Sequence, residues 1–178
     1  MNMKSKFARG IRVTPRSKAE LLAFAHVIRA AFHLENTPYF PVVQFLESLS
    51  VMFDDFNYEI VEPGVLPKRE FACFNPFNGM ISICETYYKM ANEGNGFARW
   101  TILHECLHFL LHRNQLGALA RQDNSPHKIY EDSEWQVNVV VCELLMPSNM
   151  ISKDMTVEEV AEKFGVSKAA ASNRLKNL

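Results

Sequence analysis

The sequence predicts an α+β fold, with a small, mostly antiparallel sheet packed on a central helix and a short helical pair at the C-terminal end. Three observations predict it. Apolar residues recur at helical spacing on both sides of a middle stretch in which they alternate with polar ones. One helix, over 97–113, is apolar almost all round and therefore belongs inside the molecule. The composition, 48% apolar and 22% charged over 178 residues, is that of a globular chain long enough for one domain with a small appendage. It excludes extended disorder and collagen-like repeats.

The elements follow in order. Residues 1–16 read as a flexible basic arm and 17–150 as the main domain. Ser17 and Glu20 form a capping box, and Leu21, Phe24, Ala25, Ile28 and Phe32 carry an amphipathic helix over 18–33. Pro41 can open a second short helix, whose Phe45, Leu46 and Leu49 run to about Ser50. Phe56, Tyr58 and Ile60 then alternate at strand spacing until Pro63-Gly64 breaks the run. Two further strands, at 71–74 and 80–84, flank Asn75-Pro76-Phe77-Asn78-Gly79 with its Asn-Gly hairpin signal. Gly94-Asn95-Gly96 is a loop before the helix at 97–113. The stretch 114–132 is polar and mixed, a long loop or irregular helix with a turn at Asn124-Ser125-Pro126. A helix over 133–146 stops at Pro147. Residues 151–178 form the appendage: Thr156 and Glu159 make a second capping box, Gly165 joins two short helices, and Ser167 caps the last.

Charge and cysteine content narrow the setting. Nineteen Lys and Arg against twenty Asp and Glu leave a net of −1, which selects neither nucleic acid nor an anionic membrane as partner. The distribution is uneven: residues 1–18 hold Lys4, Lys6, Arg9, Arg12, Arg16 and Lys18 and no acid. The last helix carries Lys168, Arg174 and Lys176, yet 151–178 as a whole balances five basic against four acidic residues, which disfavours direct DNA binding. Cys73, Cys84, Cys106 and Cys142 form no Cys-x-x-Cys pair. With no signal peptide and no run of about 18 apolar residues, the expectation is a cytoplasmic protein with reduced thiols and no membrane partner.

The chemistry concentrates at His104-Glu105-Cys106-Leu107-His108. On a helix the two histidines lie about 40° apart around the axis and one turn along, so both imidazoles can meet one metal ion. Glu105 sits beside that ion rather than on it, where it can take a proton from an attacking water. The same helix carries Trp100, Ile102, Leu103, Leu107, Phe109, Leu110 and Leu111, so the polar groups are held in apolar surroundings. A divalent cation offsets the cost of burying them. A catalytic zinc needs a third protein ligand and an open position. His112 continues the series, but its Cα lies about 12 Å from that of His104 along the axis, too far for the same ion. Position 114, where another pattern would place a third His, is Asn114. Glu131, Asp132, Glu134, Glu143 and His127 remain as candidates.

The run from Arg99-Trp100-Thr101 through His104-Glu105-Cys106-Leu107-His108 to Leu110-Leu111-His112 resembles the active-site segment of the ImmA/IrrE family of metallo-endopeptidases. Glu134-Trp135-Gln136-Val137-Asn138, ending in Leu144-Leu145-Met146-Pro147, resembles its second block. Phe164-Gly165-Val166-Ser167 with Arg174-Leu175 is similar to its C-terminal helical pair. Leu107 stands where the family usually has Gly, and Val137, Val140 and Cys142 occupy other packing positions that differ.

The resemblance implies a zincin-like metallopeptidase core holding Zn²⁺ or another divalent ion, with His104, His108 and Glu134 as ligands and Glu105 as the catalytic base. Asn138, one turn beyond Glu134, would orient a ligand from behind. Arg99, His112, His127 and Tyr130 lie in segments that could supply a second electrophile. The implied substrate is a protein partner, a transcriptional repressor of the helix-turn-helix type. Two other readings stand beside this one: a zincin-fold module of the toxin–antitoxin type that binds a partner without cutting it, and a metal-dependent DNA-binding regulator acting through 156–178. The intact Glu105 favours the peptidase, because ligation alone does not require it.

Overall fold

The computed structural model describes residues 10–115 and 126–178. Within them the order is α1 (Lys18–Ala31), α2 (Val42–Met52), β1 (Asn57–Val61), β2 (Ala72–Asn75), β3 (Met80–Cys84), α3 (Glu85–Asn92), α4 (Gly96–His112), α5 (Ser133–Leu145), α6 (Val157–Phe164) and α7 (Lys168–Lys176). Single turns of 3-10 helix at Arg113–Gln115, Ile129–Glu131 and Ser148–Met150 complete it. The expected turn at Asn124-Ser125-Pro126 falls mostly outside the described residues, as do residues 1–9 of the basic arm.

The helix starts follow from local chemistry. Ser17 Oγ accepts the Glu20 N–H at 3.2 Å while the Glu20 carboxylate accepts the Ser17 N–H at 2.6 Å, so two orphan donors of α1 are satisfied reciprocally. Thr156 and Glu159 repeat this at α6. Asn95 caps α4, its side-chain oxygen accepting from Phe97 N–H and Ala98 N–H. The helix therefore begins one residue earlier than its apolar pattern indicates.

Helix α4 is the central element. Ala98, Ile102, Leu103, Cys106, Leu107, Phe109 and Leu111 are buried around it. Burial of each large apolar side chain contributes about 1.5–3 kcal/mol. On one side α5 packs against it, with Val137, Val140, Val141 and Leu144 buried, and α1 packs on α5. On the other lie α2, α3 and the sheet. Phe109 receives Phe53, Phe56 and Phe74 edge-on, at centroid separations of 5.6, 4.7 and 6.0 Å, which seats the sheet on the helix.

Three sequence expectations are corrected. The sheet is mixed rather than mostly antiparallel: its order is β1-β3-β2, with β1 parallel and β2 antiparallel to β3. Alternation of apolar and polar residues is the same for both directions. Direction is set by the ten-residue excursion 62–71, which opens β1 and β2 wide enough for β3 to enter between them. The β2–β3 turn closes as the Asn-Gly signal indicates, with Gly79 at φ 70° and a Cβ there driven into the carbonyl oxygen of Asp55. Second, α3 occupies a stretch to which the sequence pattern assigned nothing. It is eight residues long, and its Glu85–Lys89 pair at 2.7 Å is the helical signal that was available. Third, residues 10–16 are not a free arm. Arg12 bridges Asp132 antiparallel, Val13 is buried, and Val13 N–H donates to Glu131 O at 2.8 Å.

The cysteines are unpaired. Among the described residues no helix is long and apolar enough to cross a membrane.

Two buried charges fasten α6 and α7. Arg99 of α4 donates to Phe40 O at 2.7 Å, to Phe164 O at 3.1 Å and to Gly165 O, with its guanidinium 3.9 Å from the Tyr39 ring centre. Glu143 of α5 accepts from Arg174 of α7, from Ser148 N–H at 3.0 Å and Ser148 Oγ at 2.9 Å, and pairs with His26 Nε2 of α1 at 3.1 Å. Burial alone would raise the Glu143 carboxyl. The Ser148 N–H, Arg174 and His26 together outweigh burial and hold it below the usual carboxylate range. The pair therefore stabilises fully at neutral pH and is lost as the pH falls through that lowered value. Arg174→Leu leaves the carboxylate buried without its guanidinium, and should cost about 3–5 kcal/mol in urea unfolding at neutral pH. The same measurement in acid should show a smaller difference between the two proteins.

Candidate metal centre

Helix α4 presents His104 and His108 one turn apart, with their Nε2 atoms 3.0 Å from each other. Helix α5 arrives from the other side. Asp132 caps it, its Oδ1 accepting the Trp135 N–H at 2.9 Å, which places Glu134 in the first turn. The Glu134 carboxylate then spans both imidazoles: Oε2 lies 3.1 Å from His104 Nε2 and Oε1 lies 3.0 Å from His108 Nε2. Ligand atoms of these three residues all lie within 4.8 Å of one another.

The electrostatics follow from that contact. Burial works against the Glu134 anion, but its hydrogen bonds to His104 and His108 prevail and hold the carboxyl far below the usual range. Burial would lower His108. The hydrogen bond and charge of Glu134, with the charge of Glu105, outweigh it and raise the imidazole. The donor set fits a divalent cation. Two ring nitrogens aimed at one another at 3.0 Å and at a shared carboxylate need positive charge between them. Two His and one Glu form a known catalytic zinc set that leaves a coordination position free.

Glu105 lies next to the cluster and outside it. Its Oε2 accepts the Phe74 N–H of β2 at 2.8 Å. Burial raises its carboxyl above the ordinary range, against the pull of His108, His104 and that N–H.

The other candidates are placed elsewhere. Glu131 accepts from Arg12 and from the Lys128 N–H at the surface. Asp132 caps α5 and pairs through Oδ2 with His127 Nε2 at 2.9 Å. Glu143 holds Arg174, as described. Arg99 is committed to three carbonyls at the far end of α4. His112 is buried, with Nε2 3.3 Å from Gln136 Oε1. Burial, with the charge of His108, lowers it to about 4, so it is neutral. Tyr130 is exposed beside Lys128. Asn138 is half-buried and, among the described residues, makes no hydrogen bond to the three clustered side chains. Two contributors had no role in the sequence reading. Phe74 orients Glu105 through a backbone N–H, which no residue type announces. Gln136 joins His112 to Thr14 O and Tyr130 O, and its place two residues after Glu134 was the available signal.

Residues 92–176 match the family model described as the IrrE N-terminal-like domain, a peptidase family. Over that segment the chain is similar to the ImmA/IrrE family. The match begins just before α4 and runs through α5 to the end of α7, so it covers the whole cluster and the helical pair. The fold is also similar to that of a Mycobacterium tuberculosis transcriptional regulator, with a TM-score of 0.57 at 15% identity over 86% of this chain. The chain spans 46% of the length of that protein. No curated protein matches the sequence.

Zinc titrated against a chromophoric chelator should bind the wild-type chain at one site. Affinity should fall with His104→Ala, His108→Ala or Glu134→Gln by more than the roughly 10–100-fold typical of residues behind a ligand. Glu131→Gln should leave it unchanged. Because a proton on His108 competes with the ion, affinity should rise with pH across the histidine range.

Proposed function

We propose that this chain is a zinc-dependent endopeptidase that cleaves a protein partner, with a helix-turn-helix transcriptional repressor as the substrate class. The observation that carries the reading is the position of Glu105. A carboxylate that is no part of the cluster is held beside it, fixed by the Phe74 N–H at 2.8 Å, and burial raises its carboxyl above the ordinary range. A protein that merely binds an ion has no use for it.

His104, His108 and Glu134 would hold the cation, which when bound polarises a peptide carbonyl and acidifies water. Glu105 would accept the proton of the attacking water and deliver it to the departing amine. The Phe74 N–H keeps the Glu105 carboxylate aimed while it is charged. Neutral His112 is tied to Gln136, and Arg99 is occupied at the other end of α4. Neither supports a role as second electrophile, and Tyr130 is the exposed candidate that remains.

The substrate class rests on kinship with the ImmA/IrrE family. The DNA-binding alternative loses support from α7 itself. Arg174 is spent on buried Glu143, and Lys168 pairs with Glu158 at 2.9 Å. Those side chains supplied most of the positive charge on which that reading depends.

Glu105→Gln should preserve the fold and the bound ion while lowering cleavage by about 10²–10⁴, since an amide accepts no proton. The measurement mixes either protein with the repressor encoded nearest its gene and follows fragments by mass spectrometry. Equal cutting by both proteins removes Glu105 from the mechanism. Tight binding by both with no fragments from either leaves the binding module as the function.

A further inference from the structure

Residues 10–16 form a run of backbone laid against the start of α5. Gly10 N–H donates to Asp132 Oδ2 at 3.0 Å and Ile11 N–H to Ser133 Oγ at 3.1 Å. Ser133 N–H returns to Ile11 O at 3.1 Å, and Arg16 N–H reaches Tyr130 O at 3.0 Å. These bonds bring Gly10 against the residue that completes the cluster. A Cβ at Gly10 would sit 2.7 Å from Glu134 N and 2.8 Å from Glu134 Cγ, and on Ser133 Oγ. No side chain fits there without displacing the stem of Glu134 or the run itself.

Further along, Thr14 O accepts from Gln136 Nε2 at 2.8 Å, and Gln136 Oε1 faces His112 Nε2 at 3.3 Å. The His112 ring lies 5.6 Å from that of His108. One end of the run thus touches the carboxylate of the cluster through its stem. The other reaches the second imidazole through two side chains.

We infer that residues 10–16 are a strap that positions Glu134, with Gly10 as the positioning residue whose lack of a side chain lets the strap close, so that the N-terminal segment of the chain sets its metal affinity. The inference rests on the metal reading above. The physical ground is pre-organisation. A glutamate in a first helical turn has several rotatable bonds, and ligation must offset the freedom it loses. Backbone that leaves no room for even a Cβ beside the Glu134 stem restricts that freedom before the ion arrives. Residues standing behind a ligand in this way typically influence affinity about 10–100-fold.

The test uses the full chain with Zn²⁺ in chelator competition and Co²⁺ for its absorption spectrum. Gly10→Ala should weaken Zn²⁺ binding about tenfold or more and change the Co²⁺ spectrum, with the helical circular-dichroism signal of the metal-free protein retained. Ser133→Ala unhooks the Ile11 N–H without adding an atom, and should weaken binding in the same direction by less. Arg12→Ala cuts only the exposed pair with Glu131 and serves as the unaffected control. With Glu134→Gln already in place, Gly10→Ala should cause no further loss. Losses that simply add would mean that Gly10 does not act through Glu134 and would overturn the inference. So would unchanged affinity and spectrum in both Gly10→Ala and Ser133→Ala. If the wild-type chain takes up no ion, the metal reading falls and this inference with it. If it does and the strap variants match it, only the strap is lost.

Discussion

Three polar side chains pressed together between α4 and α5 are the constraint to which the rest of the fold answers. Two imidazole nitrogens and a carboxylate within hydrogen-bonding distance are costly in apolar surroundings unless charge balances them. Their approach requires the first turn of α5 to meet the middle of α4 at a fixed height. Asp132 sets that height by capping α5, whose Val137, Val140, Val141 and Leu144 are buried in the core. The sheet closes the far side by giving Glu105 a backbone donor at Phe74 and by seating Phe74 on Phe109. A single residue of β2 thus serves both packing and the chemistry.

Much of this is legible in the sequence because it is local. Helical spacing alone puts His104 and His108 on one face, and the capping signals at Ser17, Thr156 and Ser167 act where their residues stand. What crosses between elements is less legible. From spacing alone, Glu134 was one of five candidates, and family resemblance was needed to prefer it. Glu143, another of the five, is buried for a different reason that only the meeting of α1, α5 and α7 reveals. The parallel pairing of β1 with β3 leaves no mark on alternation, because it depends on the path of the chain outside both strands.

Basic residues show the same limit. The sequence sets Arg174 among the positive charges of the last helix and Arg99 among the candidate electrophiles. In the structure both are buried, spending their donors on carbonyls at one end of α4 and on a carboxylate of α5. The planar guanidinium suits this role, because it satisfies several acceptors at once without giving up its proton. Charge that looks like recognition in a count is here part of the internal framework.

Those two arginines have a consequence for how the molecule comes apart. Arg99 reaches from α4 to the turn after α6, and Glu143 reaches from α5 to α7, so both helices that carry the clustered side chains also carry the anchors of the terminal pair. Peeling α6 and α7 away would strand a guanidinium and a carboxylate in the interior. Partial opening is therefore costly, which ties the stability of the terminal pair to that of α4 and α5. Whatever engages the outer surface of α6 and α7 acts on the same thermodynamic body that holds the histidines.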